Sequence, residues 1–582
     1  MQNIPKFETT ICNKKPFDLL SLEKDSPILQ INENNTYQPL SISNIQLYNP
    51  TLKLFFNNIN SNNDVLSHKY NFQDMNSIYD NENNITVQNP VFIKYSPLLD
   101  PIRYMIGRYE PNKDILSNLP TFDNTNEVQD KLNDPNNTSY VDNFFSYLSG
   151  QMLNTHNIIH GIDYYGSFLG IQDKFMIDIA DDIEYLHSSP FFISNNNNLF
   201  IFSNFDNDNF FNVSNSRCNR QKINIDTEED CEIDFDIIET DAIDSIQNDI
   251  IELTDDNIVY AKTNKNTTTS TKNSNNSSIE SISSASEDDS DEDNSEEEEH
   301  NSEEEEDNSE EENSEEEDNS EWETASSCSS NETTVFAYIN KFPIQGICLQ
   351  KCVGTFDSLF ESNSINSDEA IAAIGQIIMT LLCYQKCFQF THNDLHTNNI
   401  MYVYTDLPFL YYRFNNLTYK IPTYGKIYKI IDFGRAIYNY KGIRLCSDSF
   451  APNGDAATQY NTEPYMNDSK PRLDPNYSFD LCRLGCSLYD FIIEDDSNEQ
   501  EYSDIQKLVI ELCLDDNNKN ILYKKNGEER YPNFKLYKMI ARSVHNHTPE
   551  KLLKKTYFTQ FLYDNSEQVN IDINIDSLPI YA

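Results

Sequence analysis

Apolar residues follow two periods along this chain, and the places where each holds mark out the elements. In residues 141–153 (VDNFFSYLSGQML), Phe144, Phe145, Leu148 and Met152 recur at helical spacing. A longer helix is predicted after residue 366. Asn366-Ser367-Asp368-Glu369 has the form of a capping box, and Ile371, Ile374, Ile378 and Leu381 follow along one face. Short apolar runs predict strands at 42–47, 52–56, 90–95, 165–168, 335–339, 344–349, 400–403 and 426–431. The polar and aromatic stretch 405–425 reads as an inserted loop or hairpin. Residues 480–563 read as helices, with 548–558 closing the set. His156 and His160 fall in the turn between the first helix and its strand, and read as surface turn residues rather than metal ligands.

Between about 203 and 333 both periods vanish. Asn, Ser, Thr, Asp and Glu dominate, and an Asn-Ser-acid unit recurs loosely from 294 to 320. Like charges repel and little apolar surface is on offer, so disorder is expected. The segment reads as a solvating insert, a tether for basic proteins, or a set of Ser phosphorylation sites. The chain thus divides into an Asn-rich opening with short strands (1–89), a first ordered part (90–205), the acidic insert (206–333), a last strand and the start of a connector (334–350), and a mainly helical remainder (351–582). The class is α+β.

Composition narrows the picture. The 582 residues carry a net charge of −53, from 42 basic and 95 acidic side chains, and 24 of the acids lie between Glu287 and Glu323. Such a chain repels nucleic acid and suits basic protein partners. Its twelve Cys form no C-x-x-C pair, which suggests a reduced, intracellular setting. The start, Met1-Gln2-Asn3-Ile4-Pro5-Lys6, has no secretory pattern. The most apolar window, 371–384, reads as too short and too amphipathic to span a membrane.

The chemistry-bearing residues lie in the last third. Asp394 stands in a short loop with Asn399 five positions on. Asp432 ends an apolar strand just before Phe433-Gly434. One carboxylate to orient a hydroxyl and two oxygen groups to hold a metal are most of what phosphoryl transfer needs.

These residues carry a resemblance. His392-Asn393-Asp394-Leu395 through Asn399 resembles the H-R-D-L-x-x-x-N catalytic loop of the protein kinase superfamily, and Asp432-Phe433-Gly434 its D-F-G motif. Asp480-Leu481-Cys482-Arg483-Leu484-Gly485-Cys486 is similar to the D-x-W-S-x-G-C opening of a buried C-lobe helix. Pro90-Val91-Phe92-Ile93-Lys94 resembles the V-A-I-K strand, and Gln350-Lys351-Cys352-Val353-Gly354 the hinge between lobes. The likeness covers about residues 90–205 and 334–560, and is strongest to the divergent kinases of large DNA viruses of the mimivirus type.

The resemblance implies a two-lobed fold, with a small β-rich N-lobe interrupted by the acidic insert and a helical C-lobe. It implies transfer of the ATP γ-phosphate to Ser or Thr of protein substrates, the chain itself among them, in a host cytoplasm or a virion. Asp394 would accept the hydroxyl proton. His396 would lie beside a phosphate, Asn399 and Asp432 would hold Mg²⁺ or Mn²⁺, and Lys94 would anchor phosphates. Gln350 and Cys352 would meet adenine through the backbone, with Leu349 guarding the back of the pocket. His392 and Phe433 would be packing residues.

Departures from the pattern qualify it. No Gly precedes Gly107, so the G-x-G-x-x-G loop is missing, and either another segment covers the nucleotide, ATP binds weakly, or the protein is a pseudokinase. The 141–153 helix has no Glu to pair with Lys94; Asp142 is the nearest acid, shorter and one turn early. Asn393 replaces an Arg that docks phosphorylated activation loops, so such phosphorylation is not required. His396 replaces a Lys, as in aminoglycoside-type phosphotransferases. Between 435 and 477 no A-P-E occurs, and Glu463-Pro464 is the nearest fragment. Three classes stay open: an active Ser/Thr kinase, a pseudokinase scaffold whose insert binds basic partners, and a small-molecule phosphotransferase.

Overall fold

The computed structural model describes residues 5–23, 28–32, 35–109, 116–202, 335–493, 502–564 and 569–582. The expected acidic insert, 206–333, lies outside them. The described residues form a mixed α+β structure, with the larger sheet in the N-terminal part.

Lys94 lies on the strand Val91–Pro97, which buries Val91 and Ile93 on one face. This strand runs antiparallel to Phe336–Gln350, with Lys94 opposite Ile347 and Val91 opposite Gln350. Phe336–Gln350 also pairs along most of its length with Tyr164–Asp178, which takes Ile42–Gln46 on its far side. A short strand, Phe200–Phe202, pairs with the start of Phe336–Gln350, Phe202 opposite Ala337. The two strands expected at 335–339 and 344–349 are therefore one. Lys341 at φ +53° and Pro343 look like a turn in sequence, but pairing to Tyr164–Asp178 continues across both.

The apolar run at 52–56 is a helix, Leu52–Phe55, not a strand. A run of five residues, four of them apolar, does not separate the two periods, and packing decides: Phe55 stacks on Phe144 at 4.9 Å. The helix expected at 141–153 spans Thr138–His156 and ends on Asn157 in the left-handed conformation.

The long helix is Ser367–Phe388. The Asn366 side chain caps it by accepting the Glu369 N–H at 3.0 Å. It is buried on nearly all sides rather than along one face, and forms the middle of the largest apolar cluster. Its 22 residues correct the expectation from 371–384. By length and composition it could cross a membrane, but 94% of its apolar window is buried inside the protein, so it reads as a core helix. Gln376 ties it to the strand Lys426–Ile430 by donating to Lys426 O and accepting from Tyr428 N, both at 3.2 Å.

Residues 405–425 form the expected hairpin, Phe409–Phe414 with Leu417–Pro422. Its turn residues Asn415 and Asn416 take φ +52° and +60°, the two positive values that a tight hairpin turn demands. The single closing helix expected at 548–558 is instead two short turns, Pro549–Leu552 and Thr556–Thr559, with an extended Lys555 between them that lets Phe558 reach full burial. The Asn-rich opening packs into the main core through Phe7, Tyr48, Leu52 and Leu66. Phe7 stacks on Tyr581 at 4.2 Å, bringing two distant stretches together against the long helix.

Candidate active site

The loop carrying Asp394 is built on a buried carboxylate. Asp480, at the start of helix Phe479–Ile492, accepts the backbone N–H groups of His392 at 2.9 Å and Asn393 at 2.8 Å. Burial pushes the Asp480 carboxyl up, against the pull of His392 and of these two donors. Asn393 adopts φ +63°. It spends its side chain on Thr391 O, Arg435 O and the Tyr460 hydroxyl, which ties the loop to the segment after Asp432 with neutral groups alone.

Asn399 closes the same loop. Its amide N–H groups go to Asp394 O at 2.9 Å and to His396 Nε2 at 3.0 Å, leaving Oδ1 without a hydrogen bond among the described residues. Burial is the main cause that holds His396 down to about 4, so the ring is neutral and can accept from Asn399. The Asn399 carbonyl in turn accepts Ile431 N–H at 3.0 Å, which sets Asp432 directly beside the loop. Asp432 stands at φ +61°, a strained value for a non-Gly residue that the surroundings must enforce.

Lys94 joins the two halves of the site. Its Nζ lies 2.7 Å from Asp142 Oδ2 and 2.7 Å from Asp432 Oδ1. Burial alone would pull the Lys94 ammonium down, but the two carboxylates outweigh it and hold it charged. Asp142 also accepts Phe433 N–H at 2.9 Å through its other oxygen. The short acid that looked a doubtful substitute for Glu is thus the partner of Lys94. Two turns further on the same helix comes close to the sheet as well: a Cβ on Gly150 would sit 2.9 Å from Tyr164 Cβ. Asp448 fixes the helix start by accepting Thr138 N–H at 2.9 Å and pairing with Lys131. Phe145, one turn on from Asp142, packs on Phe433 at 4.7 Å. His392 and Phe433 are fully buried, with rings 5.9 Å apart.

Buried groups also position the site from behind. Lys429 donates to Ile159 O at 2.9 Å and Gly161 O at 2.6 Å, and burial lowers it to about 8. His156 and His160 are buried, contrary to the expectation of a surface turn. His156 meets the Tyr581 hydroxyl at 2.6 Å. His160 meets Tyr428 O and the Tyr412 hydroxyl at 2.8 and 2.7 Å. The turn sits inside because the hairpin and C-terminal residues cover it.

At the connector, Leu349 is buried, and the backbone N–H groups of Gln350, Lys351 and Val353 are taken by Asp163 O, Pro90 O and Tyr402 O. The Cys352 N–H has no partner among the described residues. Burial pushes the Cys352 thiol up to about 11, which keeps it protonated.

Asp394 itself is heavily engaged. The Tyr537 hydroxyl donates to Oδ1 at 2.6 Å, and Arg435 Nη1 lies 3.9 Å from Oδ2. Burial would raise the carboxyl, but Arg435, His396, Arg483 and the Tyr537 hydroxyl hold it at about 2. Tyr537 carried no sequence signal, because 143 residues separate it from Asp394. Arg435 directly follows the D-F-G tripeptide, and that adjacency was the available clue.

Among the described residues no three His, Cys, Asp or Glu side chains converge to hold a metal. The expected pair fits a hard divalent ion all the same. Among the described residues Asn399 Oδ1 accepts no hydrogen bond, and neither does Asp432 Oδ2, whose partner oxygen holds Lys94. Asn399 and Asp432 would be the residues to hold such an ion, which would supply charge neutralisation there.

No Gly-rich strand pair accompanies Lys94. Its strand pairs with one strand only among the described residues, and beyond that pairing Val91 N–H donates to Met75 O at 2.9 Å. Compared with known proteins, the chain matches no family model and no curated sequence.

Proposed function

We propose that this chain is a protein kinase of two-lobed fold that transfers the ATP γ-phosphate to Ser or Thr hydroxyls of protein substrates. One observation carries the reading. Lys94 bridges Asp142 and Asp432 at 2.7 Å each, and Asp432 is hydrogen-bonded through its neighbour Ile431 to the loop that holds Asn399 and Asp394. A cation for phosphates, two free oxygen ligands for a metal and a carboxylate for a hydroxyl proton thus come from separate parts of the chain to one place. Mg²⁺ bound there would supply charge neutralisation of the phosphates. Lys94 binds and orients, Asp142 keeps Lys94 in position, and Asp394, ionised across the physiological range, orients the acceptor hydroxyl. His396 keeps Asn399 turned so that Oδ1 stays available.

A scaffold without turnover is the second reading, favoured by the lack of a second partner strand for the Lys94 strand among the described residues and by the missing glycines. Transfer of labelled γ-phosphate separates the two. With Mg²⁺ or Mn²⁺, the wild type is expected to label itself or a basic protein, and Asp394→Ala and Asp432→Ala to abolish the label. Nucleotide binding without Asp394-dependent transfer would select the scaffold.

A further inference from the structure

Both oxygens of Asp394 face groups of the same chain. Tyr537, in the first turn of helix Lys535–Ser543, donates its hydroxyl to Oδ1 at 2.6 Å, and Arg435 stands 3.9 Å from Oδ2. Arg483 Nε donates to the Tyr537 hydroxyl oxygen at 3.0 Å. Arg483 and Arg435 lie 5.1 and 5.6 Å from the centre of the Tyr537 ring, and Phe534 stacks on it at 5.4 Å. A phenol O–H donating to an ionised carboxylate makes the same bond that an incoming Ser or Thr hydroxyl would make.

The loop does not need this bond to hold its shape. Asp480 already takes the N–H groups of His392 and Asn393, and Asn399 already holds Asp394 O. The helix bearing Tyr537 is built to give at that end. Its N-cap residue Phe534 makes no side-chain cap, Lys535 is exposed, and Phe534, Leu536 and Tyr537 are only partly buried against the core, whereas Ile540, Ala541 and Val544 are fully buried and anchor the far end. The first turn can open while the second stays docked.

We propose that Tyr537 is an internal occupant of the acceptor position: its hydroxyl closes Asp394 to outside hydroxyls, and protein substrates gain access only when the first turn of Lys535–Ser543 withdraws. The inference rests on the kinase reading and adds an autoinhibitory contact to it.

Tyr537→Phe is the test. Phe keeps the ring between Arg435 and Arg483 and removes only the hydroxyl. Labelled γ-phosphate transfer to histone is measured for wild type and variant, with Asp394→Ala as the blank and thermal melts to verify folding. Loss of a hydrogen bond to a charged group should lower the KM for histone by roughly ten-fold, with the KM for ATP unchanged and kcat not reduced. A variant that is folded but shows a lower kcat at unchanged histone KM would make Tyr537 a positioning residue for Asp394 and overturn the inference, as would kinetics equal to wild type. Absence of transfer by both proteins, to histone and to themselves, overturns the kinase reading and this inference with it.

Discussion

Asp142→Asn removes one charge from a carboxylate whose side chain is 2% exposed and leaves an amide of nearly the same size. The amide oxygen can still accept Phe433 N–H, so the packing of Phe433 on Phe145 should survive. What changes is Lys94. Breaking a buried ion pair costs about 3–5 kcal/mol when the surviving charge is stranded. Lys94 is not stranded: Asp432 remains at 2.7 Å, and the Lys94 side chain is 26% exposed. The expected stability loss is therefore smaller, about 1–2 kcal/mol. The larger effect falls on transfer. Lys94, freed from Asp142, is drawn wholly to Asp432 and competes for a carboxylate that should hold metal. A ten- to hundred-fold fall in kcat/KM, about 1.4–2.7 kcal/mol, is expected. Urea unfolding of wild type, Asp142→Asn, Lys94→Met and the double variant gives the coupling directly, and about 1–2 kcal/mol is expected between residues in contact. A coupling below about 0.5 kcal/mol, together with an Asn variant of undiminished turnover, would refute the assignment of Asp142 as the partner of Lys94.

Two further outcomes follow from buried polar groups. Asp480→Ala strands the His392 and Asn393 N–H groups beneath the Asp394 loop and should cost about 2–5 kcal/mol in urea unfolding, with Asp480→Asn costing less; an Ala variant within about 0.5 kcal/mol of wild type would contradict the clamp. His160 is fully buried and held by burial at about 4, so below its ordinary value near 6.5 the unfolded chain takes a proton that the folded one refuses. Stability should then fall as pH drops from about 6.5 to 4, by up to about 3 kcal/mol from this group. His160→Gln should flatten the pH profile over that window, and an unchanged slope would count against it.

The parts of the site that could be read in sequence are those set by local chain geometry. Asp394 and Asn399 are five residues apart in one loop, and Asp432 ends a strand whose apolar run is plain, so local spacing and the motif resemblance together singled them out. The periodic helices 138–156 and 367–388 were visible for the same reason. The partner of Lys94 was harder. Whether an Asp can replace a Glu depends on how near the helix comes to the sheet, and that distance is set by contacts between elements, which local spacing does not show. The burial of His156 and His160 was illegible because the residues that cover them, Tyr412, Tyr428 and Tyr581, lie more than 250 positions away. The run 52–56 failed for a different reason: it is too short for its period to speak.

The pairing of Phe202 with Ala337 has a consequence for how the chain could have been assembled. The described chain leaves the sheet after Phe202 on one strand and re-enters it at Phe336 on the neighbouring one. To the fold, therefore, that long acidic stretch is equivalent to the turn of a single hairpin. Because the cost of closing a loop rises only with the logarithm of its length, exchanging it for a turn of about five residues should gain the fold only about 3 kcal/mol. The stretch can lengthen, shorten or change its charge while the strands that carry Lys94 and the connector keep their register.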